Sequence, residues 1–478
     1  MNGQRDLTTG AIGPTLLAFA LPTLASNILQ SLNGSINAVW VGRFLGEDAL
    51  AATSNANLIM FLMFGAIFGF GMAATILVGQ AWGRRDYVAA KRAFGSAIGL
   101  VLAGSVVLGA VGWAATPAIL RALATPGEAM ALAETYLRVI FLGLPASMLL
   151  VLMMMGLRGT GDSLTPLWFM GLSVLLDSGL NPVFILGIGP APAMGIAGSA
   201  VATLIANAVA VAALIGWIAW RDLPLKIGRG EFHYLRPDPV LARTIVAKGL
   251  PIGAQMLVIA TAALAMIGLV NQEGVATTAA YGVTQQLWAY IQMPAMAIGA
   301  AVSAMAAQNI GAGRWDRVSE ITRVGLLFNV AMTGVLIAVG LFFDRAILGL
   351  FLAEGSAVLP IAQHMSYIAT WSFLLFGGTM VLFGVVRANG AVWGPLAILF
   401  IAMFPVRIGF ALALRPWLGA DALWWSFPIG SAVTVGLATL YYLYGDWRQG
   451  RPDQPDEAEC EQRSHATLEP SGTLKPAG

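Results

Sequence analysis

In an oily chain, the residues able to do chemistry are those that keep a charge where the surroundings cannot solvate it. Of 24 acidic residues, only Asp177 lies deep inside an apolar run, about 11 residues past Pro166 and so about 16 Å along a helix rising 1.5 Å per residue. Asn181 follows one turn later on the same face, and Pro182, lacking an amide hydrogen, frees the carbonyl of Ser178. An ionisable group at the centre of a bilayer costs at least about 2.5 kcal/mol, which makes its retention a functional signal. The chemistry open to Asp177 is the loading and release of a proton; the alternative is a carboxylate fixed by a permanent hydrogen bond or an arginine. Asn33, Asn37, Tyr136, Thr203 and Asn207, from other apolar runs, join it if the bundle closes, with Asn33 and Asn207 expected on the cargo cavity, or else serve to hydrogen-bond one helix to another.

A second set is read from spacing. Gln285, Trp288, Gln292 and Met296 fall at i, i+3, i+7 and i+11, on one helical face. A stripe of amide, ring and thioether suits a broad-specificity cavity, because methionine adapts its shape and an aromatic face attracts an organic cation. Plain helix packing is the rival explanation. Arg407 is the other charge deep in a run, where it either lines the cavity and repels cations or reaches toward the nearer membrane interface. His233, His364 and His465 are far apart and the lone Cys460 stands in a polar tail, so neither a metal site, a disulfide framework nor a cofactor is expected. A net charge of +2 gives no footprint for nucleic acid.

The elements that must position these residues are membrane spans. Over 478 residues the chain is 58% apolar and 10% charged, with a mean hydropathy of +0.77, more apolar surface than a soluble core absorbs. Apolar runs near 14–41, 54–79, 93–115, 134–157, 166–189 and 195–220 predict six helices. Six more follow near 249–270, 280–305, 322–343, 365–386, 394–414 and 420–445. The fold expected is an all-α integral membrane protein of twelve helices. It divides into an N-lobe (1–220), a polar linker (221–248), a C-lobe (249–445) and a disordered tail (446–478). The first run is too long for a signal-peptide core and is expected to be retained. Apart from Arg43, Arg121, Arg138, Arg345, Arg407 and Arg415, the basic residues fall on the side of the N-terminus. Basic loops stay in the cytoplasm, which predicts both termini there, in a plasma membrane that is a bacterial inner membrane.

The halves repeat at an offset of 228 to 229 residues. Leu21-Pro22 matches Leu250-Pro251, Gln80 before Gly83-Arg84 matches Gln308 before Gly313-Arg314, and Arg158, Gly161 and Pro166 match Arg387, Gly390 and Pro395. Each copy has an even number of helices, so the copies point the same way. A pseudo-two-fold axis along the membrane normal then relates two six-helix bundles with a cargo cavity between them, the usual build of secondary transporters.

These landmarks resemble the multidrug and toxic compound extrusion family, whose halves each open with Leu-Pro and carry a Gly-Gln…Gly-Arg loop and an Arg-Gly-x-Gly-Asp segment. Here they read Leu21-Pro22, Gly79-Gln80-Ala81-Trp82-Gly83-Arg84 and Arg158-Gly159-Thr160-Gly161-Asp162, then Leu250-Pro251, Gln308-Asn309-Ile310-Gly311-Ala312-Gly313-Arg314 and Arg387-Ala388-Asn389-Gly390. The resemblance covers residues 10–445 and implies antiport, in which organic cations or other amphiphiles leave as H⁺ or Na⁺ enters. The nearest branch resembles the DNA-damage-inducible (DinF-like) transporters. In that branch the first helix carries Asp where this chain has Asn37, and the fifth has Asn and then Asp where this chain has Asp177 and then Asn181; Tyr136 and Thr203 match their counterparts. A second-half sodium site known from another branch has no counterpart, which favours H⁺. The expected protein is a monomeric proton-coupled exporter of small cationic or amphiphilic molecules, embedded in the lipid bilayer. Rival readings are a lipid-linked oligosaccharide flippase, which needs a basic central cavity where only Arg407 is available, and a polytopic membrane enzyme, which needs a cluster of His, Asp or Glu.

Overall fold

The computed structural model describes residues 5–122, 127–189, 192–349 and 358–448. The first half is six helices: α1 (Ile12–Leu45), α2 (Glu47–Gly83), α3 (Tyr87–Ala122), α4 (Gly127–Gly159), α5 (Leu164–Leu186) and α6 (Ile196–Trp220). The second half holds α7 (Pro239–Asn271), α8 (Val275–Gly311), α9 (Trp315–Phe342), a short α10 (Asp344–Gly349), α11 (Val358–Ala369), α12 (Ser372–Ala388), α13 (Trp393–Ile401), α14 (Gly409–Leu418) and α15 (Asp421–Tyr444). α11 and α12 form one span bent by 45°, and a π-helical stretch Ala402–Ile408 joins α13 to α14. Counted so, twelve helical spans are described, each overlapping a run predicted from sequence.

The helices outrun those predictions at their ends, because residues beyond the hydrocarbon layer continue the helix with polar side chains. The largest case is α7. Residues 239–248, expected in the linker, form its opening turns, with Pro239 at the first position and the Asp238 carboxylate accepting from the Val240 amide at 2.9 Å. The rest of the linker lies against α3. Lys91 pairs with Glu231 at 3.0 Å, and Tyr234 and Leu235 pack where Gly95 and Gly99 leave room. Neither interruption of the second half was anticipated. Pro405 withdraws a hydrogen-bond donor within the π stretch, a standard cause of such irregularity, whereas the 45° bend at Thr370–Trp371 contains no proline. Of the predicted tail, residues 449–478, with Cys460 and His465, lie outside the described residues.

The repeat in the sequence is a repeat in space. α1, α5 and α6 pack together beside α2, α3 and α4, and α8, α9, α12 and α15 form the core of the other bundle. α1 and α7 belong to both. Ile12, Leu16, Phe19 and Ala20 of α1 are buried among C-lobe side chains, while Ile245 and Ile252 of α7 are buried among N-lobe ones. Pro22 and Pro251 lie within these crossing segments.

The lobes meet at the end that carries the basic loops. Gln80 Nε2 donates to the Ala388 carbonyl at 2.7 Å, and its repeat counterpart Gln308 Nε2 donates to the Gly159 carbonyl at 2.8 Å. Each glutamine thus caps the exposed carbonyl end of a helix in the opposite lobe. The same exchange holds for backbone: a Cβ on Gly83 would collide with the Gln308 carbonyl, and one on Gly311 with that of Gln80. Gly79 faces its own counterpart, Ala307, at 3.0 Å from where a Cβ would stand, which places the pseudo-axis between them. The N-terminal segment fastens this end further, with Asn309 Nδ2 donating to Leu7 O at 3.0 Å and Arg317 to Gly10 O at 3.2 Å.

Overpacking a tight helix crossing costs about 1–3 kcal/mol. Gly83→Ala and Gly311→Ala are therefore each expected to lower the thermal unfolding midpoint of the purified protein, and by similar amounts. Gly104→Ala, with open space around it, is expected to leave the midpoint unchanged or raise it. Unequal behaviour of the first two would contradict the two-fold crossing.

Candidate functional site

The N-lobe site is built on α5 by a carboxylate that the rest of the lobe supplies with neutral donors. Asp177 is 1% exposed. Its Oδ2 accepts from Asn33 Nδ2 at 2.8 Å and Asn37 Nδ2 at 2.9 Å, two amides one turn apart on α1. Its Oδ1 accepts from Thr203 Oγ1 on α6 at 3.0 Å and Asn181 Nδ2 at 3.1 Å. Asn181 also donates to Asn37 Oδ1 at 2.9 Å. Tyr136 of α4 is buried within electrostatic reach of the carboxylate. Among the described residues no cation pairs with Asp177, so the arrangement is not the carboxylate–arginine lock weighed as an alternative.

This geometry sets two effects against each other. Burial penalises the ionised carboxyl, and four donated hydrogen bonds reward it. A proton arriving at Asp177 would need an acceptor and would displace a donor. Asn33 Oδ1 and Asn181 Oδ1 are buried beside it without a hydrogen-bond partner, so rotation of either amide supplies that acceptor. Asn33, expected in the cargo cavity, is thus part of the carboxylate site. Asn207 accepts from Ser173 Oγ at 2.8 Å and donates to Ser147 Oγ at 2.8 Å, tying α4, α5 and α6 together, the interhelical role given as its alternative.

In the C-lobe, Gln285, Trp288 and Gln292 of α8 line a cavity of about 200 Å³ with Tyr281, Phe427 and Arg407. Arg407 stands over the Phe427 ring at 3.6 Å and its stem packs where Gly430 leaves room, so the side chain faces the cavity and does not reach for an interface. Trp288 is fixed by a 2.9 Å hydrogen bond from its ring nitrogen to Thr370 Oγ1, at the bend between α11 and α12. Met296 departs from the stripe. It is one turn nearer the basic end, past Pro294, where the lobes converge, and it lines a different cavity between them.

That interlobe cavity contains the residues sequence reading missed. Arg158 and Arg387, repeat counterparts assigned to loops at helix ends, turn inward and line it together with Asn27, Met72, Met155 and Met296. The Nε of each is buried without a hydrogen-bond partner, and Arg387 is 5% exposed. The one available signal was the repeat itself, which holds an arginine at the same register in both halves, although equivalence of position does not by itself give the direction of the side chain. The expectation that Arg407 is the one basic residue available to a central cavity is therefore corrected. Among the described residues no group of His, Cys, Asp and Glu is arranged to hold a metal ion.

Twelve spans in two bundles exchanging contacts about a two-fold axis, with internal cavities and a buried acid, are the build of a multi-pass membrane transporter. The MatE family model matches residues 22–183 and 251–412, one copy in each lobe, and the chain belongs to that family. It is 36% identical to the "Probable multidrug resistance protein YoeA" of Bacillus subtilis, over 89% of this chain and 92% of that one. It is 31% identical to "Probable multidrug resistance protein YpnP" of the same organism, over 93% and 97%. A solved structure described as the outward-facing conformation of a multidrug resistance MATE family transporter superposes with a TM-score of 0.84 at 20% identity, covering 94% of this chain and 98% of that one.

The Trp288 anchor yields a stability prediction. Thr370→Val keeps the side-chain volume but leaves a buried indole N–H unpaired, which costs about 1–3 kcal/mol. The thermal midpoint is expected to fall, and Thr370→Ser to restore most of it. Equal stability of all three forms would show that Trp288 is held by packing alone.

Proposed function

We propose that the protein exports organic cations or other amphiphiles from a bacterial cell in exchange for protons, with Asp177 as the proton carrier. Asn37, Asn181, Thr203 and Tyr136 tune the carrier, and Asn33 joins them. The observation that carries the reading is the carboxylate of Asp177, buried in a spanning helix and held by neutral groups alone. A proton removes the charge that gathers α1, α5 and α6, so protonation loosens that side of the N-lobe and biases it toward a second packing. The names of the Bacillus subtilis relatives support the cargo class. In this reading the basic end is cytoplasmic, with both termini there, and the protein acts as a monomer in the inner membrane. Because the lobes are joined at that end, the conformation described is the one closed to the cytoplasm. Transport then requires the glutamine exchange to open as the lobes 1–220 and 249–445 rock about the linker. Sodium is the alternative coupling ion, for which an acid ringed by amide and hydroxyl groups also has the right ligand chemistry.

One carboxyl carries one proton per cycle, which bounds the work done. A proton crossing 100 mV supplies about 2.3 kcal/mol and each pH unit adds about 1.4 kcal/mol. For a neutral amphiphile the two together sustain a gradient on the order of several hundred-fold, whereas one proton exchanged for one monovalent cation moves no net charge and leaves only the pH difference, about ten-fold per unit, to drive export.

The test is transport of fluorescent amphiphilic dyes, one cationic and one anionic, into proteoliposomes, with pH and sodium gradients imposed separately. Wild-type protein is expected to respond to the pH gradient, and Asp177→Asn to lose at least about 90% of that response while still binding dye. Full proton-driven transport by Asp177→Asn would remove the carrier assignment, and a response to sodium alone would replace the ion.

A further inference from the structure

We infer that the interlobe cavity is a site for an amphiphilic oxyanion, its carboxylate or phosphate head held between Arg158 and Arg387 and its apolar body laid on the surrounding methionines. The inference rests on the cavity between the lobes being the cargo path, and it narrows the cargo class proposed above. Three observations converge on it. The first is charge: two guanidinium groups line the cavity, and no acidic residue is among the residues lining it. Buried arginines in proteins are paired or coordinated, because an unpaired buried charge costs several kcal/mol. Among the described residues neither forms a salt bridge and each Nε is buried without a hydrogen-bond partner; the Phe383 ring, 5.4 Å from Arg387 Cζ, is an aromatic neighbour and supplies no counter-charge. Their place in the last turns of α4 and α12 offsets part of that cost through the helix dipole, but it does not aim the side chains inward or fill their hydrogen-bonding positions.

The second observation is symmetry. Arg158 and Arg387 stand one residue before Gly159 and Ala388, the carbonyls that the glutamines cap, so the two arginines line the cavity from opposite lobes at its closed end, the floor. Two planar forks presented from opposite lobes fit an oxyanion, which accepts bidentate hydrogen bonds from each. The third is the wall. Met72, Met155, Met256, Met296 and Met380 surround the arginines, a flexible thioether lining that moulds to tails of varied shape. The space enclosed in this conformation is about 100 Å³, room for the head and the first part of a tail, and an organic cation is repelled by the floor. Arg407 continues the same sign of charge into the C-lobe cavity, whose lining likewise contains no acid. An anion joining both lobes at their seal would also tie cargo occupancy to whether that seal opens.

The full chain in phosphatidylcholine nanodiscs provides the test, using two fluorescent probes with the same body and opposite heads, 11-(dansylamino)undecanoate and the corresponding undecylammonium. The carboxylate is expected to bind at least ten-fold more tightly than the ammonium. Arg158→Gln and Arg387→Gln are each expected to weaken carboxylate binding ten-fold or more, and Arg→Lys at either site to retain part of it. Displacement of the probe by phosphatidylglycerol added to the disc would identify a lipid phosphate as the occupant. Displacement by unlabelled undecanoate, with phosphatidylglycerol inert, would identify a free amphiphile. Equal binding of the two probes by wild-type protein overturns the inference whatever the fate of the variants, as does undiminished carboxylate binding by folded glutamine variants. These measurements need no ion gradient, so their failure leaves the proton role of Asp177 standing, and the failure of that role leaves them interpretable.

Discussion

A carboxylate enclosed by helices and satisfied by neutral donors alone is the constraint on which the N-lobe depends. Asp177 collects hydrogen bonds from Asn33 and Asn37 on α1, Thr203 on α6 and Asn181 on its own helix, so one charge sets the relative positions of three elements. A salt bridge would hold them as firmly but could not be switched off, because removing either partner strands the other as a buried charge. With amides and a hydroxyl the switched-off state remains affordable, since each donor can turn to another acceptor. This is the physical reason for amide-rich surroundings where an ion pair would give more raw attraction. It also accounts for having one acid where two were expected from related transporters: Asn37 is placed to donate to Asp177, and an aspartate there would bring two like charges within hydrogen-bond distance.

The seal at the basic end is built on a different principle, reciprocity. Gln80 and Gln308 each spend their amide on the opposite lobe, and the backbone carbonyls beside them are approached closely only because Gly311 and Gly83 have no side chain. Each contact is neutral, small and of the kind worth roughly 1 kcal/mol, so the seal is firm as a set and separable piece by piece. Two crossing helices, α1 and α7, keep the lobes registered while leaving that separation possible.

Much of this architecture was legible in the sequence. Apolar runs located every span, because a bilayer demands length and hydrophobicity with little regard to packing. Asp177 stood out because charge in a span is rare, and the offset of the repeats announced the two-fold axis. What was not legible depended on contacts between segments far apart in the chain. Arg158 and Arg387 read as loop charges because each is followed by small residues and a turn; only the approach of the second lobe makes them cavity residues. Met296 shares a helical face with Gln292, yet one turn of height moves it from the C-lobe cavity to the interlobe one. The bend at Thr370 has neither proline nor glycine to mark it. Spacing reports direction around a helix and is silent about what stands opposite.

The two lobes consequently divide the electrostatic labour. Within the spans the N-lobe buries its charge as an acid among donors, and the C-lobe buries Arg407 against an aromatic ring. Between them the floor is basic on both sides of the axis. A mobile proton alters only the first of these, for guanidinium groups keep their charge over the range in which carboxyls titrate. In the exchange proposed above, cargo contacts in the C-lobe and on the floor would therefore stay constant while the N-lobe changes its packing. Under that proposal a single protonation event would change the shape of the path without changing the charge of the surface that meets the cargo, so that release would be driven by geometry and not by loss of the recognising charge.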